Sequence, residues 1–332
     1  MTIIILSLHF WDGYGNRNNY ERYLGYVPEP FTDYIQILVP NFCGPLQRDG
    51  SFGYCFRDWS IPTYLVSLGQ SKKALVMPLV LGSGQIADHM LYDPFKRRNF
   101  IKSALKILRE TNSDGFLVDL EGLTNDTGPG LNALMKELST LIRAEGKLVA
   151  MAVMPRTSEQ AEPWSKQYDY ARLASYVDYL QIMAYDFHYA TSPPGPIAPL
   201  DWVAKVAAYA GTKIPSTKIL LGIPYYGRIW NSSGRTWKSK ACSLSGAREI
   251  AARHSVPVRR ERSGTDPVGV PTFTYFDNSG REQIAYFDDP LSLRAKLNLV
   301  SKYNLRGVGC WSMAWVDRES AKEIYPLLKT LG

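Results

Sequence analysis

Eight short apolar runs, each followed by a stretch with helical periodicity, recur along the 332 residues and restrict the fold more than any other feature. The runs are Ile3 to His9, Ile35 to Val39, Ala74 to Val80, Phe116 to Leu120, Leu148 to Val153, Val177 to Met183, Ile219 to Ile223 and Gly307 to Trp311. Continuous apolarity, in place of strict alternation, marks parallel strands covered on both faces. Eight such strands alternating with helices predict a (β/α)8 TIM barrel, an α/β fold occupying residues 1–332 as a single domain. Tyr23 to Val27 competes with Ile3 to His9 for the first strand.

The helices carry their own punctuation. Asp93-Pro94 and Asp289-Pro290 each supply an N-cap followed by a first-turn proline. Pro129 opens a helix whose Leu131, Leu134, Met135, Leu138, Leu141 and Ile142 form one stripe, and Gly146 closes it. Leu293, Leu297 and Val300 mark the inner face of the last long helix. The interval between Pro224 and Pro290 breaks the rhythm. It holds a helical segment, Ser245 to His254, then a hairpin pattern, Thr272 to Phe276 and Ile284 to Phe287, around Asp277-Asn278-Ser279-Gly280. We expect a small α+β lobe over residues 230–289, inserted between strand seven and helix seven. That is the barrel end where active sites lie.

Composition excludes several function classes. The net charge of +7 gathers at Lys96-Arg97-Arg98 and at Arg253, Arg259, Arg260 and Arg262. Such runs are expected as solvated loop faces, or as an attraction to an acidic polymer such as a cell wall. No nucleic-acid-binding signature is present, and no apolar run is long enough to cross a bilayer. Thr2-Ile3-Ile4-Ile5-Leu6 has neither a basic leader nor a cleavage site, so it does not read as a signal peptide. Four histidines without H-x-H or H-E-x-x-H spacing, and Cys43, Cys55, Cys242 and Cys310 without C-x-x-C spacing, argue against a metal site. The thiols are expected to be buried and unpaired, although Cys43 and Cys55 are near enough in sequence to bridge in an exported protein. No cofactor is expected.

The stretch Asp114-Gly115-Phe116-Leu117-Val118-Asp119-Leu120-Glu121 carries the chemistry. Strand alternation places Leu117, Asp119 and Glu121 on one face and Phe116, Val118 and Leu120 on the other. Two carboxylates then point into the barrel near the C-terminal end of a strand. Burying them there costs several kcal/mol each unless they are paired or protonated. The alternatives to catalysis are a helix N-cap or an ion pair with a neighbouring arginine.

The same stretch resembles the Asp-x-x-Asp-x-Asp-x-Glu signature of glycoside hydrolase family 18. Glu121 falls on that family's general acid, Asp119 on the aspartate that orients the substrate acetamide, and Asp114 on the first position. Leu117 stands where the second aspartate would be. Gln181-Ile182-Met183-Ala184-Tyr185-Asp186 resembles the Met-x-Tyr-Asp motif of strand six. Gly195 to Leu200 resembles a proline-rich run of one subgroup, which includes spore-cortex-lytic enzymes and lectin-like chitinase-domain proteins. Leu221 to Gly227 looks like strand seven, and Gly309-Cys310-Trp311-Ser312-Met313 looks like the last strand.

The resemblance implies a retaining, substrate-assisted hydrolase of β-1,4-linked, N-acetylglucosamine-containing polymers, peptidoglycan or chitin. Glu121, Asp119 and Tyr185 would be catalytic; Trp311, Asp186, Met183, Tyr225 and Tyr226 would bind substrate. His188 reads as structural, and Trp230 and Trp237 as either subsite or core residues. A monomer located outside the cell, or with the wall or spore, is implied. So is a rival reading, a chitinase-like carbohydrate-binding protein with weak or no catalysis.

Overall fold

Burial on both faces is what the apolar runs require, and a closed ring of parallel strands provides it. The computed structural model describes residues 3–8, 21–22, 24–55, 60–233 and 236–331. Strands β1 (Ile3–Leu8), β2 (Ile37–Pro40), β3 (Leu75–Val76), β4 (Leu79–Ser83), β5 (Gly115–Glu121), β6 (Leu148–Val153), β7 (Tyr179–Ile182) and β8 (Ile219–Pro224) follow in order. β14 (Gly307–Trp311) completes the ring beside β1 and β8. β3 pairs with β2 and β4 with β5, all parallel, so these two segments are one strand interrupted at Met77-Pro78. The ring is therefore an eight-stranded α/β barrel. Pro78 lacks the donor a ladder needs, yet its carbonyl still accepts from the Leu117 amide at 2.9 Å.

Each expected strand occupies its place, with ends shifted by a few residues. His9 and Tyr23 lie outside the described residues. The competing run forms no strand over 24–27, where the chain ends a helical turn and bends.

Local signals account for the helices around the ring. Asp93 caps Pro94–Thr111 by accepting from the Phe95 amide, and Asp289 caps Pro290–Lys302 in a capping box with Ser292. The helix Gly128–Ala144 buries Leu131, Leu134, Met135, Leu138 and Ile142. Leu141, expected in that stripe, is exposed, one turn from the helix end. Arg97 also departs from expectation. It is buried beneath its helix, with Nη1 donating to the Leu91 carbonyl at 2.7 Å, and is not part of a solvated loop.

Between β8 and the helix Pro290–Lys302 lies a second, antiparallel sheet. It consists of β9 (Gly227–Ser233), β10 (Thr236–Cys242), β11 (Arg259–Glu261), β12 (Val270–Phe276) and β13 (Glu282–Tyr286), in the order β10-β9-β13-β12-β11. Helix Leu244–Arg253 packs on it through Ala247 and Ala251, over Ile229, Phe273 and Phe287. The sheet begins at Gly227, before the expected residue 230, because the β9–β10 ladder runs back to the pair Gly227–Cys242. This lobe walls the C-terminal end of the barrel.

All four cysteines are free. Cys43 and Cys310 are buried, whereas Cys55 and Cys242 are only partly so. Among the described residues no helix is long and apolar enough to cross a membrane, and no three His, Cys, Asp or Glu side chains could hold a metal.

Candidate active site

The seven residues of β5 alternate as a two-sided strand must. Phe116, Val118 and Leu120 are wholly buried beneath the helices Gly84–Tyr92 and Pro94–Thr111. Asp119 and Glu121 face inward and open into a cleft of about 1060 Å³ at the C-terminal end of the ring. Asp114 lies at the opposite end of the strand. Its Oδ2 accepts from the Val76 amide at 2.8 Å and from Gln70 Nε2 at 3.1 Å, so this acid secures the closing strand and is remote from the cleft.

Asp119 is 3 % exposed, and its Oδ1 has no hydrogen-bond partner. Leu117, which fills the next inward position, is an apolar neighbour that cannot supply one. Burial raises the Asp119 carboxyl well above the usual carboxylate range, and the charge of Glu121 and a hydrogen bond with it add to the rise. Burial also raises Glu121, as does the negative charge of Asp186, while the hydrogen bond from Asp119 opposes them. A carboxyl raised by burial and by a neighbouring acid is the pattern of a general acid.

This electrostatic strain has a consequence for stability. A carboxyl whose folded pKa is raised contributes its full stability below the unfolded value, near pH 4, and loses it as pH rises through the folded pKa. Asp119→Asn remains neutral throughout. It is therefore expected to raise Tm by about 2 °C or more near pH 8, an advantage that vanishes near pH 4. Thermal unfolding at the two pH values checks this, and a pH-independent difference would count against it.

Tyr185 stands beside the carboxyl pair, 8 % exposed. Its hydroxyl is pushed well above the ordinary range by burial and then by Asp119 and Glu121, so it is a donor at any working pH. The Gln181 amide donates to that hydroxyl, and two glycines leave room for the arrangement. A Cβ added at Gly222 would lie 2.9 Å from Tyr185 Cε1, and one at Gly309 would lie 2.3 Å from Gln181 Cδ. Asp186 follows in a left-handed conformation, φ 55°. Its Oδ1 accepts from the Tyr226 hydroxyl at 2.7 Å and from Arg228 Nη2 at 3.0 Å. Trp311 and Met183 line the cleft, with Trp315 and Met154 adding apolar surface.

The fold thus brings together Glu121, Asp119, Tyr185, Asp186, Met183, Tyr226 and Trp311. Tyr225 does not join them. It is 1 % exposed in the core, where the Cys310 thiol donates to its hydroxyl at 2.9 Å, because adjacent residues in extended backbone point to opposite sides. Trp230 is wholly buried, its Nε1 donating to the Tyr189 carbonyl at 3.1 Å. Trp237 is partly buried and does not line the cleft. His188 packs over Gly195 and holds the Pro193 carbonyl at 3.1 Å, which makes it a loop brace.

Arg228 and Gln181 escaped the sequence reading. The first had a signal: two residues after Tyr226 it shares that residue's face, and three acids at one barrel end call for a cation.

Comparison with known proteins gives the family. Residues 60–314 match the sequence profile of glycosyl hydrolases family 18. The chain is 36 % identical to the C-terminal domain of a provisionally named chitinase from Desulfitobacterium hafniense DCB-2, covering 99 % of each chain with a TM-score of 0.93. The cortical fragment-lytic enzyme of Bacillus subtilis (strain 168) is 27 % identical over 261 residues, 76 % of this chain and 59 % of that protein. The provisionally named sporulation-specific glycosylase YdhD of the same organism is 29 % identical over 232 residues, 70 % of this chain and 54 % of that protein. The matched region spans little more than half the length of these two curated relatives.

Proposed function

The chain belongs to glycosyl hydrolases family 18, and from that premise we propose that it is a retaining, substrate-assisted hydrolase of β-1,4-linked polymers containing N-acetylglucosamine. The observation that carries this reading is one cleft holding a carboxyl raised above its ordinary range, a buried acid with an unpartnered oxygen, and a tyrosine donor.

Glu121 would protonate the glycosidic oxygen as the bond to the anomeric carbon breaks. The acetamide carbonyl oxygen of the same sugar would form the new bond to that carbon, in place of an enzyme carboxylate. The unpartnered Oδ1 of Asp119 would accept the acetamide N–H and balance the positive charge of the oxazolinium-like intermediate. The Tyr185 hydroxyl would hold the acetamide carbonyl oxygen in line for attack. Glu121, now a carboxylate, would take a proton from the entering water, and two displacements at one carbon would return the original configuration. Trp311 would offer its face to the sugar, and Asp186 would be held in place by Tyr226 and Arg228.

The rival reading, a sugar-binding protein without catalysis, has Leu117 in its favour, because no carboxyl neighbours Asp119 at that position. Glu121, in place and with its pKa raised, supports the hydrolase. Peptidoglycan and chitin both supply the required acetamide, and names such as cortical fragment-lytic enzyme among the relatives support action on wall or spore material; a monomer located there is part of the proposal. Competitive inhibition of glycan hydrolysis by a thiazoline mimic of the bicyclic intermediate is the test.

A further inference from the structure

We propose that Gln181 is a positioning residue: its amide N–H engages the oxygen of the Tyr185 hydroxyl from the barrel floor, and so holds that hydroxyl's one proton toward the cleft, where the substrate acetamide carbonyl would take it. This assignment rests on the hydrolase reading above. Gln181 is 3 % exposed. It shares the inner face of β7 with Met183, which lines the cleft two residues further on. Its backbone is fixed from both sides, in register with Ala152 of β6 and Leu220 of β8.

Room for this side chain is cut from two neighbouring strands. Gly222 of β8 and Gly309 of β14 are register partners. Gly309 faces inward with Trp311, which also lines the cleft. A Cβ on Gly309 would overlap Gln181 Cδ and Oε1, and one on Gly222 would crowd Tyr185 Cε1 at 2.9 Å. The paired glycines thus open one gap, which the amide and the tyrosine ring fill together. The amide lies with Oε1 against Gly309 and its nitrogen toward the Tyr185 hydroxyl. Filling space does not call for an amide, since methionine has the same reach and no N–H or carbonyl to bury. Orienting a hydroxyl does. A phenol has one proton, and when an N–H engages its oxygen from one side, that proton is left for the other. The same bond polarises the O–H and strengthens it as a donor, which matches the lowering that Gln181 exerts against burial and the neighbouring acids.

The test is a double-mutant cycle on kcat/KM, with Gln181→Met made in the wild-type protein and in Tyr185→Phe. The substrate is a chitin oligomer or a wall glycan fragment, whichever the wild type cleaves faster. Gln181→Met should lower kcat/KM by about three- to tenfold in the wild type, the worth of one neutral hydrogen bond. In Tyr185→Phe, which has no hydroxyl to orient, it should change kcat/KM by less than about 1.5-fold. Gln181→Leu repeats the cycle with a second apolar side chain, so the outcome does not hang on the folding of one variant. Equal falls in both backgrounds, no fall in the wild type, or failure of both variants to fold would overturn the assignment and leave the hydrolase reading intact. If the wild-type protein cleaves neither substrate, the hydrolase reading falls and this assignment falls with it.

Discussion

Glu121→Gln is expected to lower kcat by at least about a hundredfold, and by up to roughly ten-thousandfold, with sugar binding nearly unchanged. The amide keeps the shape and the hydrogen-bonding reach of the acid but has no proton to give. Charge is also removed from the pair with Asp119, whose carboxyl is raised partly by Glu121. Asp119 in the variant should therefore ionise more readily, and folding should remain intact. Steady-state turnover measured alongside calorimetric binding of an N-acetylglucosamine oligomer separates the two effects. Hydrolysis near the wild-type rate would remove Glu121 from its role.

Leu117→Asp should lower stability by about 3 kcal/mol at neutral pH. Leu117 is 2 % exposed, and in register its neighbours are Leu79 and Ala150, so an introduced carboxyl meets apolar side chains. Its one polar neighbour within the inward row would be Asp119, whose Oδ1 lacks a partner. The new carboxyl should therefore be held protonated and donate to that oxygen. Its folded pKa would lie above its unfolded one, so the loss should be smallest near pH 4 and grow as pH rises. The pH profile of hydrolysis should shift as well, since Asp119 gains a proton-bearing neighbour. Thermal unfolding and kcat/KM across the same pH range test both consequences. Unchanged stability with an unchanged activity profile would mean that position 117 does not communicate with Asp119.

The barrel was legible because continuous apolar runs have few other uses in a chain with this helical alternation. The break at Pro78 was not, since whether a proline ends a strand or merely notches it depends on which neighbour would have received its missing N–H. The carboxyl pair followed from alternation along β5, which also separates Tyr226 from Tyr225. Treating those two tyrosines alike set aside the same rule that had placed Asp119 and Glu121. Arg97 looked like part of a charged surface because a run of basic residues reads as solvated; the Leu91 carbonyl that draws it inward lies at the end of another helix. Gln181 and the glycines at 222 and 309 form a packing relation across β7, β8 and β14 that no local pattern contains.

The measurement that bears most directly on the mechanism is inhibition by a thiazoline analogue of the bicyclic intermediate during hydrolysis of an N-acetylglucosamine-containing oligomer. Substrate assistance predicts purely competitive inhibition, with an inhibition constant about a hundredfold or more below KM for the matched oligomer, as intermediate mimics show. Trapping of a covalent glycosyl ester on Glu121 or Asp119 by a fluorinated sugar, together with indifference to the thiazoline, would contradict it.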